Sequence, residues 1–481
     1  MTVLLSRHLV TLLAAFAWMV ACTDEPAPVA APPPDAPDVV PNLPDIEEDT
    51  STVVIPTLPD TQPVDVKKDA KDAAPAVPDV PPVPDVAPDV PKDVGLPLPV
   101  TVPSDLPPGV VAVPLYAGPL DFVGKSPDLK VVFPSGTVSM LAVVRGAHPA
   151  FLSLAKIVNP KGEPLAKGKC AAEVCVDCAN RVGPMPATGA ALVPSSSGVV
   201  PYAGTWYVAS CGFKWGLQGG TFAPQPWDAK ASETVAFVKT TLDGKLPPQG
   251  TLGLRLWFTS AGGLNAANGM KSAAVIAMLA EANKLYGEVG IKLEVLDVRD
   301  TAFAQTIIDL PEDVTTTGAS DLDILFAEAA LAGGSAVIDV FFVGQLVGGS
   351  EGKGVVGGIA GGIPGPAFYH GIPRAGVALA LQSLGKDGVV LGRVLAHELG
   401  HFLGLWHPIE FHGKTADPID DTPVCGPGFD KDGNGALDVK ECQGQGADNV
   451  MFWFAGNKTA AFTAGQGAVM RGNPLVRHDG K

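Results

Sequence analysis

The chain has 481 residues, of which 46 % are apolar, 17 % are charged and 47 are proline. This length exceeds one ordinary domain and predicts more than one globular unit. The formal net charge of −17 argues against nucleic acid, and against an anionic membrane surface, as partners held by electrostatic attraction.

The N-terminus has the features of a secretory signal. A short basic segment precedes an uncharged apolar run from Leu9 to Ala21, which is too short to cross a bilayer as a mature helix. Residues 1–21 are therefore predicted to be a signal peptide. Cys22 resembles the lipidated cysteine of a bacterial lipobox, although Met19 stands where leucine is usual; the alternative is ordinary cleavage after Ala21. Both routes predict an exported protein, either a lipoprotein at the cell surface or in the periplasm, held to the membrane by its N-terminal lipid only, or a secreted protein.

Residues 22–108 are rich in proline and aspartate. About half of the prolines lie here, together with most of the net negative charge. Proline removes backbone donors and like charges repel, so this segment is predicted to be a disordered, extended tether. At ~3.1 Å per residue it would reach roughly 250 Å and hold a globular head away from the membrane.

Residues 109–245 are predicted to form an all-β, sandwich-like domain. Short β-branched runs alternate with Gly, Pro and Asn at regular spacing; they are Leu129–Val132, Val138–Val144, Leu152–Val158, Thr205–Ala209 and Thr234–Thr240. Four cysteines fall in this region: Cys170, Cys175, Cys178 and Cys211. Cys175 and Cys178 could be half of a zinc ribbon, but an exported setting and an even cysteine count after Cys22 favour disulfides, with no pairing assigned.

Residues 246–481 alternate strand and helix patterns and are predicted to form an α+β domain. The predicted strands are Leu252–Phe258, Ile291–Val298, Ala336–Val343 and Val377–Leu381, and the predicted helices are Gly269–Tyr286, Asp321–Ala332 and one that begins at Val389. The whole chain is thus predicted to be multidomain: tether, β-sandwich, then α+β domain.

The chemistry is concentrated after residue 396. The pattern His-Glu-x-x-His-x-x-Gly-x-x-His begins at His397, and His397 and His401 project from one helical face at the spacing that lets two imidazoles bind one Zn²⁺. Gly404 permits the helix to end in a left-handed turn, which brings His407 round as a third ligand. Three protein ligands leave one position open, as in catalytic zinc sites. Glu398 can reach a water at that position without being a ligand, and so can act as general base.

The pattern has two other interpretations. Ordinary histidines on a helix would match it by chance with a probability on the order of 10⁻⁵ at average composition. A structural or inactive zinc site is the second, and the presence of Glu398 argues against it. His370 and His412 are interpreted as surface or cleft residues, because three histidines already complete the zinc set.

The stretch from His397 to His407 resembles the metzincin signature, and downstream residues are similar to the pappalysin-like, cytophagalysin-type metallopeptidases. Asp421-Thr422-Pro423 resembles that family's Asp-Thr-Pro segment, and residues 462–466 are similar to its closing helix. Asn449-Val450-Met451 resembles its Met-turn, which implies that Met451 lies beneath the zinc as an apolar floor. The resemblance covers roughly residues 250–475 and implies a metzincin fold, catalytic zinc, and protein or peptide substrates.

One position departs from the family pattern. Trp453 stands where these enzymes commonly carry tyrosine. An indole N–H can donate a hydrogen bond but cannot coordinate zinc as a phenolate could. Tyrosine-assisted stabilisation of the transition state is therefore not expected, whereas catalysis by zinc and Glu398 is.

Residues 430–441 fit a twelve-residue calcium loop. Gly435 stands at the sharp turn, and the candidate ligands are Asp430, Asp432, Asn434, Ala436 through its carbonyl, Asp438 and Glu441. The alternative is a solvated acidic turn, since flanking Pro and Gly forbid the long entering helix of an EF-hand. Cys425 and Cys442 bracket the loop, and a disulfide between them would limit its freedom in the unfolded chain. Calcium here would be structural.

These features predict a surface-anchored or secreted zinc metalloendopeptidase that acts on extracellular proteins or peptides. Two alternatives remain: a surface adhesin or binding lipoprotein with a non-catalytic zinc site, and a self-processing surface protein that cleaves its own tether. The first would bind zinc without turnover. The second would be cleaved between residues 24 and 108 and would not cleave added substrates.

Overall fold

The computed structural model describes residues 102–478, except positions 148–149, 168–180, 219–220, 228–230, 304, 311–319, 335, 349–355, 384–387 and 455–459. The predicted signal peptide, Cys22, nearly all of the predicted tether and three of the cysteines (Cys170, Cys175 and Cys178) lie outside the described residues. Within the described ranges, no helix is long and apolar enough to span a membrane.

The first half of the described chain consists of strands: β1 (Val110–Pro119), β2 (Leu129–Phe133), β3 (Thr137–Arg145), β4 (Phe151–Val158), β5 (Pro164–Lys167), β6 (Met185–Pro186), β7 (Thr188–Val193), β8 (Gly204–Gln218), β9 (Thr221–Pro226) and β10 (Ala231–Thr240). One antiparallel sheet has the order β1-β10-β3-β7. The other has the order β2-β8-β4-β5, with β6 on β4 and β9 on β8. We call this region the β-rich part.

Strand β3 shows why both sheets are needed. Its residues from Thr137 to Val144 are all buried, which is expected only of a strand covered on both faces. Met140 and Val144 point toward the second sheet and join a core around Trp206. Leu141 and Val143 point the other way, into a core shared with the C-terminal half of the chain.

The second half alternates strands and helices: β11 (Gly250–Phe258), α1 (Ala273–Glu288), β12 (Ile291–Asp300), β13 (Ile307–Leu310), α2 (Asp321–Ala327), β14 (Val337–Val343), β15 (Gln345–Gly348), β16 (Gly358–Ala360), β17 (Val377–Ala380), α3 (Val389–Leu403) and α4 (Ala464–Gly472). The main sheet has the order β12-β11-β14-β17-β16 and is parallel except for β16. Strands β13 and β15 form a small parallel pair. We call this region the α+β part.

Two predicted helices differ from the observed ones at an end. The first begins at Ala273 rather than Gly269, because Ser272 has an extended backbone after a 3₁₀ turn at Gly269–Lys271. The other is α-helical only to Ala327 and continues as a 3₁₀ turn, Glu328–Leu331. The described residues form mostly β-sheet with a few helices, as a β-rich region followed by alternating strands and helices, and the division into separate domains at residue 245 stays a prediction.

The two parts of the described chain share one hydrophobic core. Helices α1 and α3 lie on one face of the main sheet, and their apolar residues form a single cluster with Leu141, Val143 and Phe237 of the β-rich part. A polar contact strengthens this junction. The Lys239 amino group of β10 donates to the backbone carbonyls of Arg471, Asn473 and Val476 at 2.7, 3.0 and 2.8 Å, at the C-terminal end of α4. Burial lowers the pKa of this amino group to about 7.

A polar network is buried on the opposite face of the main sheet. The Asp339 carboxylate accepts hydrogen bonds from the Trp257 indole at 2.8 Å and from His370 Nδ1 at 2.5 Å, and Arg255 lies 3.2 Å from it. His370, expected at the surface or in a cleft rather than among the zinc ligands, is a partner of Asp339 in this network, and its side chain is 11 % exposed.

Candidate zinc site

Helix α3 carries the first two histidines. It is apolar along most of its length and almost wholly buried, so His397 and His401 share one face inside the core. The helix ends at Gly404, whose φ of 112° lies in the left-handed region that suits glycine. The Leu405 N–H then bonds back to the Gly400 carbonyl at 2.9 Å, and the chain reverses so that His407 returns toward the helix.

The structure brings the three predicted zinc ligands together. One nitrogen of each of His397, His401 and His407 lies within 4.8 Å of the others, and the Nε2 atoms of His401 and His407 are 3.2 Å apart. Two nitrogens bound at about 2.0–2.1 Å on a tetrahedral zinc would be about 3.4 Å apart. The spacing therefore fits a shared Zn²⁺.

Each histidine has its other ring nitrogen engaged. His397 Nδ1 bonds to the Val450 carbonyl, His401 Nδ1 to the Leu405 carbonyl and His407 Nδ1 to Glu410, each at 2.8 Å. A carbonyl or carboxylate can only accept, so Nδ1 carries the proton and Nε2 is left as the metal-binding atom. Neither Nε2 then carries a proton, so the approach of the His401 and His407 Nε2 atoms to 3.2 Å is not a hydrogen bond.

Burial keeps two of the imidazoles uncharged. It lowers the pKa of His397 to about 3, with a further contribution from the charge of His407. The pKa of His401 is also well below its usual value, because of burial and then the neighbouring histidines. Three histidine nitrogens that lie close together, two of them on imidazoles that burial keeps uncharged, are a donor set that fits zinc.

Glu398 lies beside these ligands on α3. Its carboxylate is buried, which raises its pKa to about 8, although a backbone hydrogen bond with Ala360 of the edge strand β16 acts in the opposite direction. Gly358 of the same strand approaches so closely that a Cβ there would lie 2.8 Å from Glu398 Cγ. Strand β16 therefore fixes the position of the predicted general base.

Met451 lies under the zinc helix, as the family resemblance implies. Its side chain is fully buried, and a Cβ at Gly400 would overlap its sulfur. The Met451 N–H donates to Asn449 Oδ1 at 2.8 Å, and the Asn449 amide exchanges two hydrogen bonds with Gln466 of α4, of 2.9 and 3.0 Å. The turn is thus fixed to the closing helix, while its Val450 carbonyl orients His397.

The Asp-Thr-Pro segment also has a structural role at this helix. Asp421 accepts hydrogen bonds from the Thr463 hydroxyl at 2.7 Å and from the Gly465 N–H at 2.8 Å. Thr463 is itself the N-cap of α4, in a capping box with Gln466. Asp421 therefore adds negative charge at a helix N-terminus, where it stabilises the helix. Trp453 lies next to the Met-turn, and its indole N–H has no hydrogen-bond partner among the described residues.

The acidic loop brings together three of its predicted ligands. Carboxylate oxygens of Asp430, Asp432 and Glu441 lie within 4.8 Å of one another. Gly435 has φ +82° and donates its N–H to Asp430 at 2.9 Å. The other three positions, Asn434, Ala436 and Asp438, lie on the same loop and form its turn hydrogen bonds.

Two contacts join this loop to the zinc segment. The predicted disulfide Cys425–Cys442 is present, with a sulfur–sulfur distance of 2.03 Å. Leu437 is buried, and its N–H donates to the Phe411 carbonyl, four residues after His407, at 2.7 Å. His412 is half-buried, and its Nδ1 accepts the Lys414 N–H at 3.0 Å.

Sequence reasoning missed Glu410 and Arg181. Glu410 Oε2 accepts from His407, and its Oε1 accepts from Arg181 Nη2 at 3.0 Å. Burial by itself would raise the pKa of Glu410, but the hydrogen bond and charge of His407 and the charge of Arg181 lower it to about 2. Glu410 could have been suspected as an acid three residues after a ligand. Arg181 is 229 positions away from Glu410 and leaves no local signal.

Two family models match the C-terminal half of the chain. Residues 272–408 match the metallo-peptidase family M12B reprolysin-like model, and residues 387–473 match the pregnancy-associated plasma protein-A model. A search of curated proteins gave no match. Among solved structures, the crystal structure of metalloproteinase-II from Bacteroides fragilis is 14 % identical, with a TM-score of 0.24, and the match covers 36 % of this chain and 50 % of that one. The present chain thus spans half the length of that structure.

The family matches and the three-histidine site identify the class: the chain carries a metzincin-like zinc metallopeptidase domain. The two matched models overlap over the zinc helix and together span the region in which the motifs were found. The predicted resemblance is confirmed at this level, and the enzyme class that it indicates is a zinc-dependent peptidase, a hydrolase.

Proposed function

We propose that this protein is a zinc-dependent metalloendopeptidase that cleaves peptide bonds in extracellular proteins or peptides. The observation that carries the proposal is the convergence of three histidines through Nε2, with a buried carboxylate on the same helix. That arrangement provides both a site for a Lewis acid and a base next to it.

Zinc and Glu398 have separate roles in the proposed hydrolysis. Zinc, when bound, polarises the carbonyl of the bond to be cleaved, stabilises the negative charge that develops on its oxygen and lowers the pKa of water. Glu398 accepts the proton from the attacking water as the new C–O bond forms. It then delivers that proton to the amide nitrogen, so that the C–N bond breaks and the amine leaves. Burial and the contact with β16 hold the carboxylate in place for both transfers.

The test uses the full chain loaded with zinc, assayed on casein and on a mixed peptide library. Glu398→Gln is the matched control, since it keeps the side-chain shape and removes the base. We expect turnover by the wild type, a loss of about 10²–10⁴-fold in the variant and loss on chelation. One zinc per folded chain without turnover would overturn the proposal and favour a zinc-binding adhesin. Cleavage of the chain alone, between residues 24 and 108, would favour a self-processing protein.

We also propose that calcium occupies the acidic loop as a structural ion. Supporting this are the three clustered carboxylates, which offer the oxygen ligands that Ca²⁺ prefers. Leu437 packs with Ile409, Cys425, Cys442 and Phe452 in one cluster, so an ion in the loop would stiffen the segments on either side of the zinc site. Calcium should raise the unfolding temperature of the wild type and leave that of Glu441→Gln unchanged. An equal rise in both would contradict the proposal.

The location of the protein is proposed from the sequence. We propose that the chain is exported and is attached to a membrane through lipid on Cys22, with the tether presenting the catalytic part to protein or peptide substrates and with no nucleic acid partner. Radiolabelled palmitate should enter the wild type and be absent from Cys22→Ser. Equal labelling of both would overturn the assignment of Cys22, and the absence of label from both would indicate secretion after ordinary cleavage.

A further inference from the structure

The third zinc ligand is held by a carboxylate. His407 follows the left-handed turn at Gly404 and lies outside the helix that fixes the other two ligands. Its Nδ1–H donates to Glu410 Oε2 at 2.8 Å. A carboxylate in this position fixes the tautomer and ring orientation of a ligating histidine and strengthens it as a donor.

Glu410 is in turn held by a residue of the β-rich part. Arg181 Nη2 donates to Glu410 Oε1 at 3.0 Å, and the Arg181 side chain is only 7 % exposed. Its guanidinium lies 3.9 Å from the centre of the Trp406 ring, next to His407 in sequence. The same segment comes close at Gly183, where a Cβ would lie 3.1 Å from Trp406. Arg181 is therefore fixed both by hydrogen bonding and by stacking.

Glu410 is the hydrogen-bond partner that neutralises this arginine. Arg181 Nε and Nη1 have no hydrogen-bond partner within the described ranges. Asp417 is the other acid whose charge acts on Arg181, but its hydrogen bonds go to Thr422 and to the Ile419 N–H. A buried guanidinium needs a paired anion, so Arg181 and Glu410 each depend on the other.

We propose that Arg181 is a positioning residue for His407 and acts through Glu410, so that the β-rich part completes the zinc site of the α+β part. This inference rests on the proposed zinc-dependent function. It gives the β-rich part a role in catalysis that does not depend on substrate binding.

The test measures the zinc affinity of the full chain by competition with a chromogenic chelator, with no peptide present. Arg181→Met and Glu410→Gln should each weaken zinc binding by about 10–100-fold. The double variant should bind zinc no more weakly than Glu410→Gln alone, because Arg181 acts through the carboxylate. The double variant also removes both charges, whereas each single variant leaves one charge buried without its partner. The double variant is therefore the one most expected to fold.

Arg145→Met is a matched control. Arg145 is also an arginine of the β-rich part, with a side chain that is 12 % exposed; it is paired with Glu233 and lies 4.1 Å from the Tyr369 ring centre, and none of these three residues is a hydrogen-bond partner of the three histidines. This variant should lose stability and keep the zinc affinity of the wild type.

The visible spectrum of Co²⁺ bound in place of zinc adds a readout of ligand geometry. Arg181→Met and Arg181→Lys should shift its bands, whereas Arg145→Met should leave them unchanged. Wild-type zinc affinity in Arg181→Met or, if that variant does not fold, in Arg181→Lys would overturn the proposal, and so would additive losses in the double variant. Because no cleavage is measured, a protein that binds zinc but cleaves nothing would overturn the proposed function alone.

Discussion

Replacing Gly404 by alanine tests how the zinc helix must end. The φ of 112° at this residue is unfavourable for any residue with a Cβ, at a cost of about 1–2 kcal/mol. The new Cβ would also lie 3.0 Å from Leu192 of β7, and crowding in a core adds about 1–3 kcal/mol. Alanine also restricts the unfolded chain, which offsets about 0.4–1 kcal/mol of these two costs. We therefore expect a net loss of about 2–3 kcal/mol.

Gly162→Ala is the control for the backbone contribution. Gly162 has φ +82°, and a Cβ there meets nothing within 4 Å. It therefore carries a left-handed cost and the same unfolded-state gain without the crowding, and we expect a loss of about 0.5–1 kcal/mol. The free energy of unfolding is measured by urea titration, and zinc affinity by chelator competition.

The two variants should also differ in zinc binding. Gly404→Ala should weaken it, because His407 reaches the site only through the left-handed turn, whereas Gly162→Ala should leave it unchanged. Adding Leu192→Ala to Gly404→Ala should not restore zinc affinity, since it relieves the crowding but not the backbone cost. Equal losses of stability in the two single variants, together with unchanged zinc affinity in both, would refute the reasoning.

Three further predictions concern other parts of the structure. Lys239→Met removes a donor from three backbone carbonyls, of which that of Asn473 keeps the Val476 N–H and that of Arg471 lies 3.2 Å from His478 Nε2. It should therefore cost about 1–3 kcal/mol without changing zinc affinity, as urea titration and chelator competition would show; an unchanged free energy of unfolding would contradict it. Burial raises the pKa of Asp417 to about 7, so the folded state binds more protons than the unfolded state between about pH 4 and 7. The contribution of Asp417 to the free energy of unfolding is therefore fully present below about pH 4. It is lost as the pH rises toward 7, by at most ~1.4 kcal/mol per pH unit. Asp417→Asn should flatten that pH profile while the exposed Asp420→Asn should not, and identical profiles would contradict the assignment. Replacing Cys425 and Cys442 together by serine should cost about 3 kcal/mol, since the disulfide closes a loop with a sequence separation of 17; a calorimetric scan that matched the wild type would contradict this.

Much of the fold was predictable because its signals are local. The runs Leu252–Phe258, Ala336–Val343 and Val377–Leu381 lie within one or two residues of β11, β14 and β17, since buried parallel strands are recognised by continuous apolar runs. The helix ends were less accurate. At Ser272 the chain bends before α1 begins, and the apolar periodicity around it does not reveal that bend.

The sequence alone determined the spacing of the three histidines, the position of the predicted base and the acidic loop. His397, Glu398 and His401 are neighbours on one helix, and a left-handed glycine and a histidine three residues later complete the set, so the arrangement needs only local geometry. The loop of residues 430–441 is equally local, because its turns are made by its own side chains.

Only the tertiary structure decided what holds these groups in place. Arg181 reaches Glu410 across 229 positions, Lys239 reaches the end of α4 across more than 230, and Met451 fills the space that Gly400 leaves open. None of these pairs has a spacing or periodicity that a sequence can display. The contacts of Arg181 and Lys239 depend on how the β-rich part and the α+β part share a core, and that of Met451 depends on packing within the α+β part. Local periodicity encodes the ligands, whereas long-range packing supplies the contacts that orient them.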